Sequence, residues 1–252
     1  MKLNRRDLLA GAGSLSVGMI LTACGNSNKQ SAPEKDSPAK KDEEEKGIEV
    51  TATEDLMREH GVLRRALLVY AAAATRLRTN ASTVPPDALQ KTANLFRAFG
   101  EEYHEKKLEE QYIFPAVKKG GGAAAAYPDI LIAQHNRGRE ITEYILSVTQ
   151  GAKLGAANAD ALAKALESFV LMYEHHAARE DTIIFPAWKQ TMTAKLYDEI
   201  GDKFEDIEKE QFGEDGYETA VKQIGDIEGS LGLTDIQQFT APAPPKASGA
   251  NA

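Results

Sequence analysis

From residue 51 onward, long runs rich in Ala, Leu, Glu, Lys and Arg alternate with short clusters of Pro and Gly. Such runs favour helices, and the clusters are typical of the connections between them. We find no convincing strand pattern in this part of the chain. The pattern predicts four helices of about 20 to 30 residues each. They fall at about residues 53–78, 87–118, 128–149 and 160–190.

Short connections between long helices favour antiparallel neighbours, so residues 51–190 are predicted to form an all-α, antiparallel four-helix bundle. Thr51 or Thr53 is expected to cap the first helix, and Pro128 suits the first turn of the third. Residues 191–232 are predicted to be a helical extension that packs on the bundle and breaks near residues 212–216. Residues 233–252 are predicted to be a disordered tail.

The first 23 residues have the features of a signal peptide. A basic start with Arg5 and Arg6 precedes a mildly apolar run that is too short to span a bilayer. The segment Leu21-Thr22-Ala23-Cys24 resembles a bacterial lipobox, which implies cleavage before Cys24 and lipidation of its sulfur. Several acyl chains there would anchor the exported protein at a membrane surface.

Residue types also indicate the export route and the character of residues 24–50. The Arg5-Arg6 pair resembles a twin-arginine signal, which exports folded proteins, although an ordinary basic start of a Sec signal remains open. Residues 24–50 are rich in Asn, Ser, Lys and Pro and lack aromatic residues, so a disordered tether is predicted.

Composition restricts the possible chemistry. The net charge is −8, and loss of the signal peptide, which carries three basic residues and one acidic residue, would make it −10. Such a surface argues against nucleic acid as a partner. Cys24 is the single cysteine, so intrachain disulfides and thiolate metal sites are excluded. Any bound metal must therefore be held by His, Glu or Asp.

An internal repeat places such residues in matching positions. HEKKLEEQYIFPAVK, residues 104–118, aligns without a gap with HHAAREDTIIFPAWK, residues 175–189. His104 then matches His175, and Glu109 matches Glu180. A weaker match relates His60 and Arg64 to His135 and Arg139. The bundle therefore resembles a duplicated helical hairpin, in which each half supplies histidines and one aligned glutamate.

This inventory suits a pair of metal ions. Imidazole nitrogens and carboxylate oxygens together favour iron, manganese or zinc, and two ions held close together need bridging anions such as Glu109 and Glu180. The step of four from His176 to Glu180 fits one helix face. The step of five from His104 to Glu109 needs long side chains or a local π-bulge. The repeat favours His175 as a ligand and the four-residue step favours His176, so both remain candidates.

The motifs REHGVLRR, HEKKLEEQYIFP, QHNRGREIT and HHAAREDTIIFP resemble hemerythrin and its HHE cation-binding relatives. The resemblance covers about residues 53–190 and implies a di-iron centre inside a four-helix bundle. The metal ligands it implies are His60, His104, Glu109, His135, His175 or His176, and Glu180.

The chain departs from the oxygen-carrying hemerythrins at one position. Those proteins have a second histidine four residues after the third-helix histidine, where this chain has Arg139. Glu105, Glu140 or a water could take its place as a donor. Glu105 is otherwise expected to be solvated, and Glu110 and Asp181 are expected to lie on the helix surface. Pro115 and Pro186 are expected to kink or stop their helices.

These observations lead to three functional hypotheses. The first is a non-haem di-iron protein that binds, senses or scavenges dioxygen or a related small ligand outside the cytoplasm. The second is an enzyme in which the same centre turns over oxygen, peroxide or nitric oxide. The third is a metal-storage or metal-delivery lipoprotein, or a module with structural zinc. The sequence shows no recognisable substrate pocket, so binding ranks above turnover.

Overall fold

The computed structural model describes residues 50–151, 154, 156–213 and 215–245. The chain divides into two units at the boundary between residues 50 and 51, and the second unit carries the fold described below. Cys24, the predicted signal peptide and nearly all of the predicted tether lie outside the described residues. The described part is all-α and has no strand, which confirms the predicted fold class. Within it, no helix combines the length and the apolar character needed to cross a membrane.

Six helices follow one another along the described chain. Helix α1 is Ala52–Asn80, α3 is Pro128–Val148, α5 is Ala194–Phe212 and α6 is Gly216–Ser230. Helix α2 has three consecutive sections, Pro86–Leu95, Phe96–Ile113 and Phe114–Gly120, of which the middle one is π-helical. Helix α4 likewise runs through Ala159–Arg179, a π section at Glu180–Ile184, and Phe185–Lys189.

Residue types at the helix ends explain where these helices begin and end. The Thr51 side chain accepts a hydrogen bond from the Glu54 N–H and caps α1, whereas Thr53 hydrogen-bonds to Tyr197. Pro128 lies in the first turn of α3 as predicted. Gly213 ends α5 with φ +76°, a left-handed conformation that glycine adopts without steric cost.

Ion pairs show that neighbouring bundle helices are antiparallel. Arg78, near the end of α1, pairs with Asp160 and Glu167 in the first half of α4. Lys118 at the end of α2 pairs with Asp129 at the start of α3. These pairs make α1 antiparallel to α4 and α2 antiparallel to α3, as an antiparallel four-helix bundle requires.

Aromatic side chains fill the bundle core beside the histidines. Phe169 packs against Tyr70, Phe96 and Tyr173, with ring centroids 5.4, 4.8 and 4.6 Å away. All four rings are buried. This cluster holds α1, α2 and α4 together and ends at Tyr173, whose ring lies 5.4 Å from that of His176.

Helices α5 and α6 pack on the bundle. On α5, Phe204 stacks on Trp188 of α4 at 5.7 Å. On α6, Glu228 accepts two hydrogen bonds from Arg65 of α1, at 2.9 and 2.6 Å. These contacts connect the extension to α4 and α1.

Pro115 and Pro186 do not stop their helices, and the π sections give the physical reason. The N–H of Phe114 donates to the carbonyl of Glu109, and that of Phe185 donates to the carbonyl of Glu180, both five residues back. Each proline follows immediately, in the first turn of the new α section, where a missing N–H is tolerated.

Part of the predicted disordered tail is ordered. Ile236–Phe239 forms a 3-10 turn, because the Asp235 side chain accepts from the Gln237 N–H and Gln238 donates to the carbonyl of Gly232. Residues 246–252 lie outside the described residues.

Candidate metal centre

Six histidine and glutamate side chains from all four bundle helices meet inside the fold, and none is more than 3% exposed. They are His60 on α1, His104 and Glu109 on α2, His135 on α3, and His176 and Glu180 on α4. Their donor atoms form overlapping groups in which the atoms lie within 4.8 Å of one another.

The contacts divide these donors into two positions. At the first position, His60 Nε2 lies 3.0 Å from His104 Nε2 and 3.5 Å from Glu180 Oε2. His104 Nε2 lies 3.4 Å from Glu109 Oε1. The first position therefore offers two nitrogens and one oxygen from each glutamate.

The second position repeats this arrangement. His135 Nε2 lies 3.0 Å from His176 Nε2 and 3.4 Å from Glu109 Oε2. Glu180 Oε1 lies 3.0 Å from His176 Nε2. Each glutamate thus turns one oxygen to each position, which is the geometry of a carboxylate bridge.

These donor atoms fit metal ions well. All four carboxylate oxygens of Glu109 and Glu180 are buried and have no hydrogen-bond partner. Buried carboxylates without partners are costly, and a bound cation offsets that cost. Two donors about 2.1 Å from a shared ion lie about 3 to 3.5 Å apart at tetrahedral or octahedral angles, as these donors do.

Hydrogen bonds from the outer Nδ1 atoms orient the histidine rings so that their Nε2 atoms face the centre. His60 donates from Nδ1 to Asp181 Oδ1 at 2.7 Å, and His135 donates from Nδ1 to Glu110 Oε1 at 2.9 Å. Since a carboxylate only accepts, the Nδ1 atoms carry protons, and the Nε2 atoms are the ones that point inward.

The other two histidines have as outer partners the residues that directly precede His60 and His135 in the chain. His104 donates to Glu59 Oε2 at 2.6 Å, and His176 donates to the amide oxygen of Gln134 at 2.9 Å. Glu59 also accepts a hydrogen bond from Tyr103 at 3.0 Å. Every inward histidine is therefore oriented by a second side chain.

Three acidic residues have roles that the sequence did not predict. Glu110 and Asp181 were expected on the helix surface, yet they orient His135 and His60. Glu105 was expected to be solvated, but it is 1% exposed and accepts from Tyr173 at 2.7 Å and from Arg139 at 3.1 Å. These roles depend on pairing between helices, which spacing along one helix does not reveal.

The repeated Ile-Phe-Pro-Ala motif packs against the centre. Phe185 stacks on the His60 ring at 5.4 Å, and Phe114 stacks on the His135 ring at 5.6 Å. The phenylalanines of the two segments therefore pack on the histidine rings of the centre.

The π sections explain the unequal spacing of the donors. His104 and Glu109, five residues apart, both lie in the π section of α2, where hydrogen bonds reach five residues back. His176 and Glu180 are four residues apart, and the π section of α4 begins only at Glu180. The local π-bulge considered for the five-residue step is therefore present.

His175 is not brought to the cluster. It is exposed, and its Nδ1 accepts a hydrogen bond from Arg179 at 2.9 Å. His176 takes the inward place, although the ungapped repeat aligns His104 with His175. The π section of α2 includes His104, whereas that of α4 begins only at Glu180. The inward histidine therefore lies five residues before the glutamate in α2 and four residues before it in α4, which explains why the ungapped alignment points to the wrong histidine.

The groups considered as substitutes near Arg139 also have defined places. Arg139 donates to Glu110 Oε1 at 2.6 Å, and Glu140 pairs with Arg137 at the surface. The closer oxygen of Glu105 lies 3.9 Å from the outer Nδ1 of His135. None of these groups is directed at the inner nitrogens.

Electrostatics in the metal-free protein favour charged His104 and His135 opposite a charged Glu109. Burial opposes the charge on His135, but Glu105, Glu109 and Glu110 outweigh it and raise its pKa to about 10. The pKa of His104 is raised well above its usual value, because Glu109 and Glu59 outweigh burial. In the metal-free protein these two histidines therefore carry protons that a bound cation would displace.

A small cavity of about 10 Å³ adjoins the donors, about the size of one water molecule. Leu63, Leu67 and Ala177 form apolar walls, and Tyr173 and Arg64 line its remaining sides. Burial and Glu105 raise the pKa of Tyr173 well above its usual value, so its hydroxyl keeps its proton.

The fold and site define a helical bundle with a buried histidine–carboxylate cluster suited to metal ions. Residues 51–188, more than half of the chain, match the Hemerythrin HHE cation binding domain. The chain therefore belongs to this family.

Relatives extend the similarity beyond the family domain. Uncharacterized proteins of Mycobacterium tuberculosis and Mycobacterium bovis are 40% identical to this chain over 237 residues, which is 94% of this chain and 90% of theirs. The match is longer than the family domain, so it also includes most of the residues that follow residue 188. No solved structure matches the chain.

Proposed function

We propose that this protein is a non-haem di-iron protein that binds, senses or scavenges dioxygen or a related small ligand outside the cytoplasm. The observation that carries the proposal is the set of four inward Nε2 atoms around four buried carboxylate oxygens that accept no hydrogen bond. Mixed nitrogen and oxygen donors suit iron, and also manganese or zinc.

We assign the ligands from the two positions. His60 and His104 would hold the first ion, His135 and His176 would hold the second, and Glu109 and Glu180 would bridge them. Each ion would receive two nitrogens and two oxygens from the chain, which would leave coordination positions for a small ligand. His175 is not assigned as a ligand.

Two iron ions would supply the redox capacity and the open coordination positions needed to bind or reduce a small oxygen-derived molecule. The chain limits what reaches them. Leu63, Leu67 and Ala177 make the adjoining cavity apolar, and its size suits a diatomic molecule better than an organic substrate. The Tyr173 hydroxyl is held in place by donating to Glu105.

The test is anaerobic reconstitution of the metal-free protein with ferrous iron, followed by metal analysis and optical spectra before and after oxygen is admitted. We expect two irons per chain and a new charge-transfer absorption band with oxygen. Absence of any iron-linked spectrum would contradict the proposal. Glu109→Gln and Glu180→Gln each remove one bridge and should lower the iron content.

Catalytic turnover of oxygen, peroxide or nitric oxide is the second candidate. It is favoured by the low number of protein donors at each position, because Arg139 faces the outer side of His135 and adds no ligand. Continuous consumption of oxidant with a supplied reductant would indicate an enzyme. A single stoichiometric uptake would indicate a binding protein.

Metal analysis also separates the third possibility. Protein isolated from its native host that contains tight zinc and no iron would favour a structural or metal-delivery role. Iron at two ions per chain would favour the di-iron proposal.

We also propose that a lipid anchor at Cys24 retains the exported protein at a membrane surface outside the cytoplasm. The support is the lipobox-like Leu21-Thr22-Ala23-Cys24 after a basic and apolar start. Cys24→Ala should abolish lipid labelling and release the protein from the membrane fraction. An unlabelled wild-type protein would contradict the anchor.

A further inference from the structure

The two metal positions have the same inner donors but different outer partners. The residue before His60 is Glu59, and the residue before His135 is Gln134, so the two occupy corresponding places in the duplicated hairpins. Glu59 accepts from His104 at 2.6 Å, and Gln134 accepts from His176 at 2.9 Å. One imidazole therefore donates to a carboxylate and its counterpart donates to a neutral amide.

Burial increases this difference. Glu59 is 1% exposed and is held by Tyr103, whereas Gln134 is half-buried and its hydrogen bond lies partly in solvent. A charged acceptor in a dry environment acts more strongly on its partner than a neutral acceptor near water.

The remaining outer contacts are similar at the two positions. Asp181 accepts from His60 and Arg64, and Glu110 accepts from His135 and Arg139. Glu105 lies on the His135 side but accepts no hydrogen bond from it, because its closer oxygen is 3.9 Å from His135 Nδ1 and it accepts from Arg139 and Tyr173 instead. The Glu59–Gln134 difference is thus the main asymmetry among the outer hydrogen bonds of the four histidines.

A carboxylate behind a coordinated imidazole increases the donor strength of that imidazole and its affinity for metal. We infer that the His60–His104 position binds its ion more tightly than the His135–His176 position, and that Glu59 and Gln134 determine this order. The inference rests on the proposed two-metal centre. It distinguishes a position that retains its metal ion from a position that exchanges its metal ion more readily. Glu59 and Gln134 act as positioning residues, since neither is directed at the ions.

The experiment is a titration of the metal-free full chain with Co(II), followed by calorimetry and visible absorption. The wild type should bind two ions in two steps with affinities separated by about 10- to 100-fold. Glu59→Gln should weaken the tighter step, and Gln134→Glu should strengthen the weaker one. In the double swap, the tighter step should move to the His135–His176 position.

Two ligand variants locate each step. In the wild-type background, His104→Ala should remove the tighter step, and His176→Ala should remove the weaker one. In the swapped background these assignments should be reversed. Circular dichroism of each variant shows whether it folds, and if Glu59→Gln does not fold, Gln134→Glu alone tests the order by tightening the weaker step.

The outcomes separate the inference from the function on which it rests. Binding of fewer than two ions overturns the two-metal function and the inference with it. Two ions of equal affinity, or a tighter step that stays at the His60–His104 position after the swap, overturn the inference alone. Failure of Gln134→Glu to tighten the weaker step also overturns it.

Discussion

His135 and Arg139, one helical turn apart on α3, donate hydrogen bonds to the same oxygen of Glu110, at 2.9 and 2.6 Å. The guanidinium therefore lies on the outer side of the His135 ring, away from its inner nitrogen. Oxygen-carrying hemerythrins have a second histidine at this place. Here the residue supports an existing ligand and pairs with the buried Glu105.

Replacement of this guanidinium should destabilise the fold. Arg139→Gln leaves Glu105 buried without its cation, which we expect to lower the free energy of unfolding by about 2 kcal/mol. The number of metal ions bound should stay the same, because no donor atom is lost. Urea unfolding of the metal-free protein and metal analysis of the loaded protein measure the two effects.

Arg137→Gln is the matched control on the same helix. Its partner Glu140 is exposed, so this change should alter stability by less than about 0.5 kcal/mol. Loss of bound metal in Arg139→Gln would show that the arginine acts on the inner donors after all.

The adjacent histidines at 175 and 176 should differ sharply in their effect on metal binding. His176→Ala removes an inner donor, so we expect one ion per chain in place of two. His175→Ala removes an exposed side chain whose partner is Arg179 and should leave the metal content unchanged. Metal analysis after removal of excess iron distinguishes the variants. Loss of an ion in His175→Ala would contradict the placement.

This pair also shows how far the sequence could predict the site. The helical pattern and the repeat predicted the all-α fold, which the structure confirms, and pointed to α2 and α4 as carriers of histidine and glutamate. The repeat aligns without gaps, so it favoured His175. Only the backbone shows that the π section begins earlier in α2 than in α4, which moves His104 into register with His176.

The residues that hydrogen-bond to the outer nitrogens of the histidines could not be predicted from the sequence, for a different reason. Glu59, Gln134 and Asp181 are polar residues on helices, and their spacing is also that of a solvated helix face. Their roles arise from which helices are neighbours in the bundle. Asp181 meets His60 because α4 packs antiparallel on α1, and no local pattern fixes that contact.

Metal binding should release protons near neutral pH. In the metal-free protein the pKa of His135 is about 10, so its ring is protonated at pH 8, and an inner nitrogen must lose its proton to bind an ion. Apparent affinity should therefore increase as the pH rises from about 6.5 towards 10. Calorimetric titrations in buffers with different ionisation enthalpies give the number of protons released. An enthalpy that does not depend on the buffer would contradict this.

The same raised pKa has an opposite consequence for the metal-free fold. A histidine whose folded pKa exceeds its unfolded value of 6.5 stabilises the fold fully below pH 6.5, and this stabilisation is lost as the pH rises through about 10. Thermal unfolding of the metal-free protein should occur at lower temperature at pH 9.5 than at pH 7. His135→Gln should show a smaller change over that range.

Gly138 provides the space for the Tyr173 hydroxyl. A Cβ added at Gly138 would lie 2.2 Å from the hydroxyl oxygen and 2.9 Å from the ring carbon that carries it. Gly138→Ala should therefore displace Tyr173, break its hydrogen bond to Glu105 and lower the free energy of unfolding by about 1 to 3 kcal/mol. Urea unfolding measures the loss.

Gly61→Ala is the control for helix propensity, because nothing lies within 4 Å of a Cβ at that position on α1. This change should stabilise the protein by up to about 1 kcal/mol. Equal effects of the two alanine substitutions would show that the Tyr173 contact is relieved at little cost.

Glu101, one turn before Glu105 on α2, should lower stability near neutral pH. Burial and the neighbouring Glu105 raise its pKa to about 7, although Arg97 lies 3.9 Å away and opposes the shift. A carboxyl whose folded pKa exceeds the usual 4.5 contributes stability that is complete below pH 4.5 and lost as the pH rises through about 7.

Glu101→Gln removes the charge and should raise the free energy of unfolding at pH 8 by about 2 kcal/mol. At pH 4 the variant and the wild type should be alike, and the exposed neighbour Glu102→Gln should have no effect at either pH. If Glu101→Gln destabilised the protein at pH 8, the charged carboxylate would be held by contacts that favour it, and the burial argument would fail.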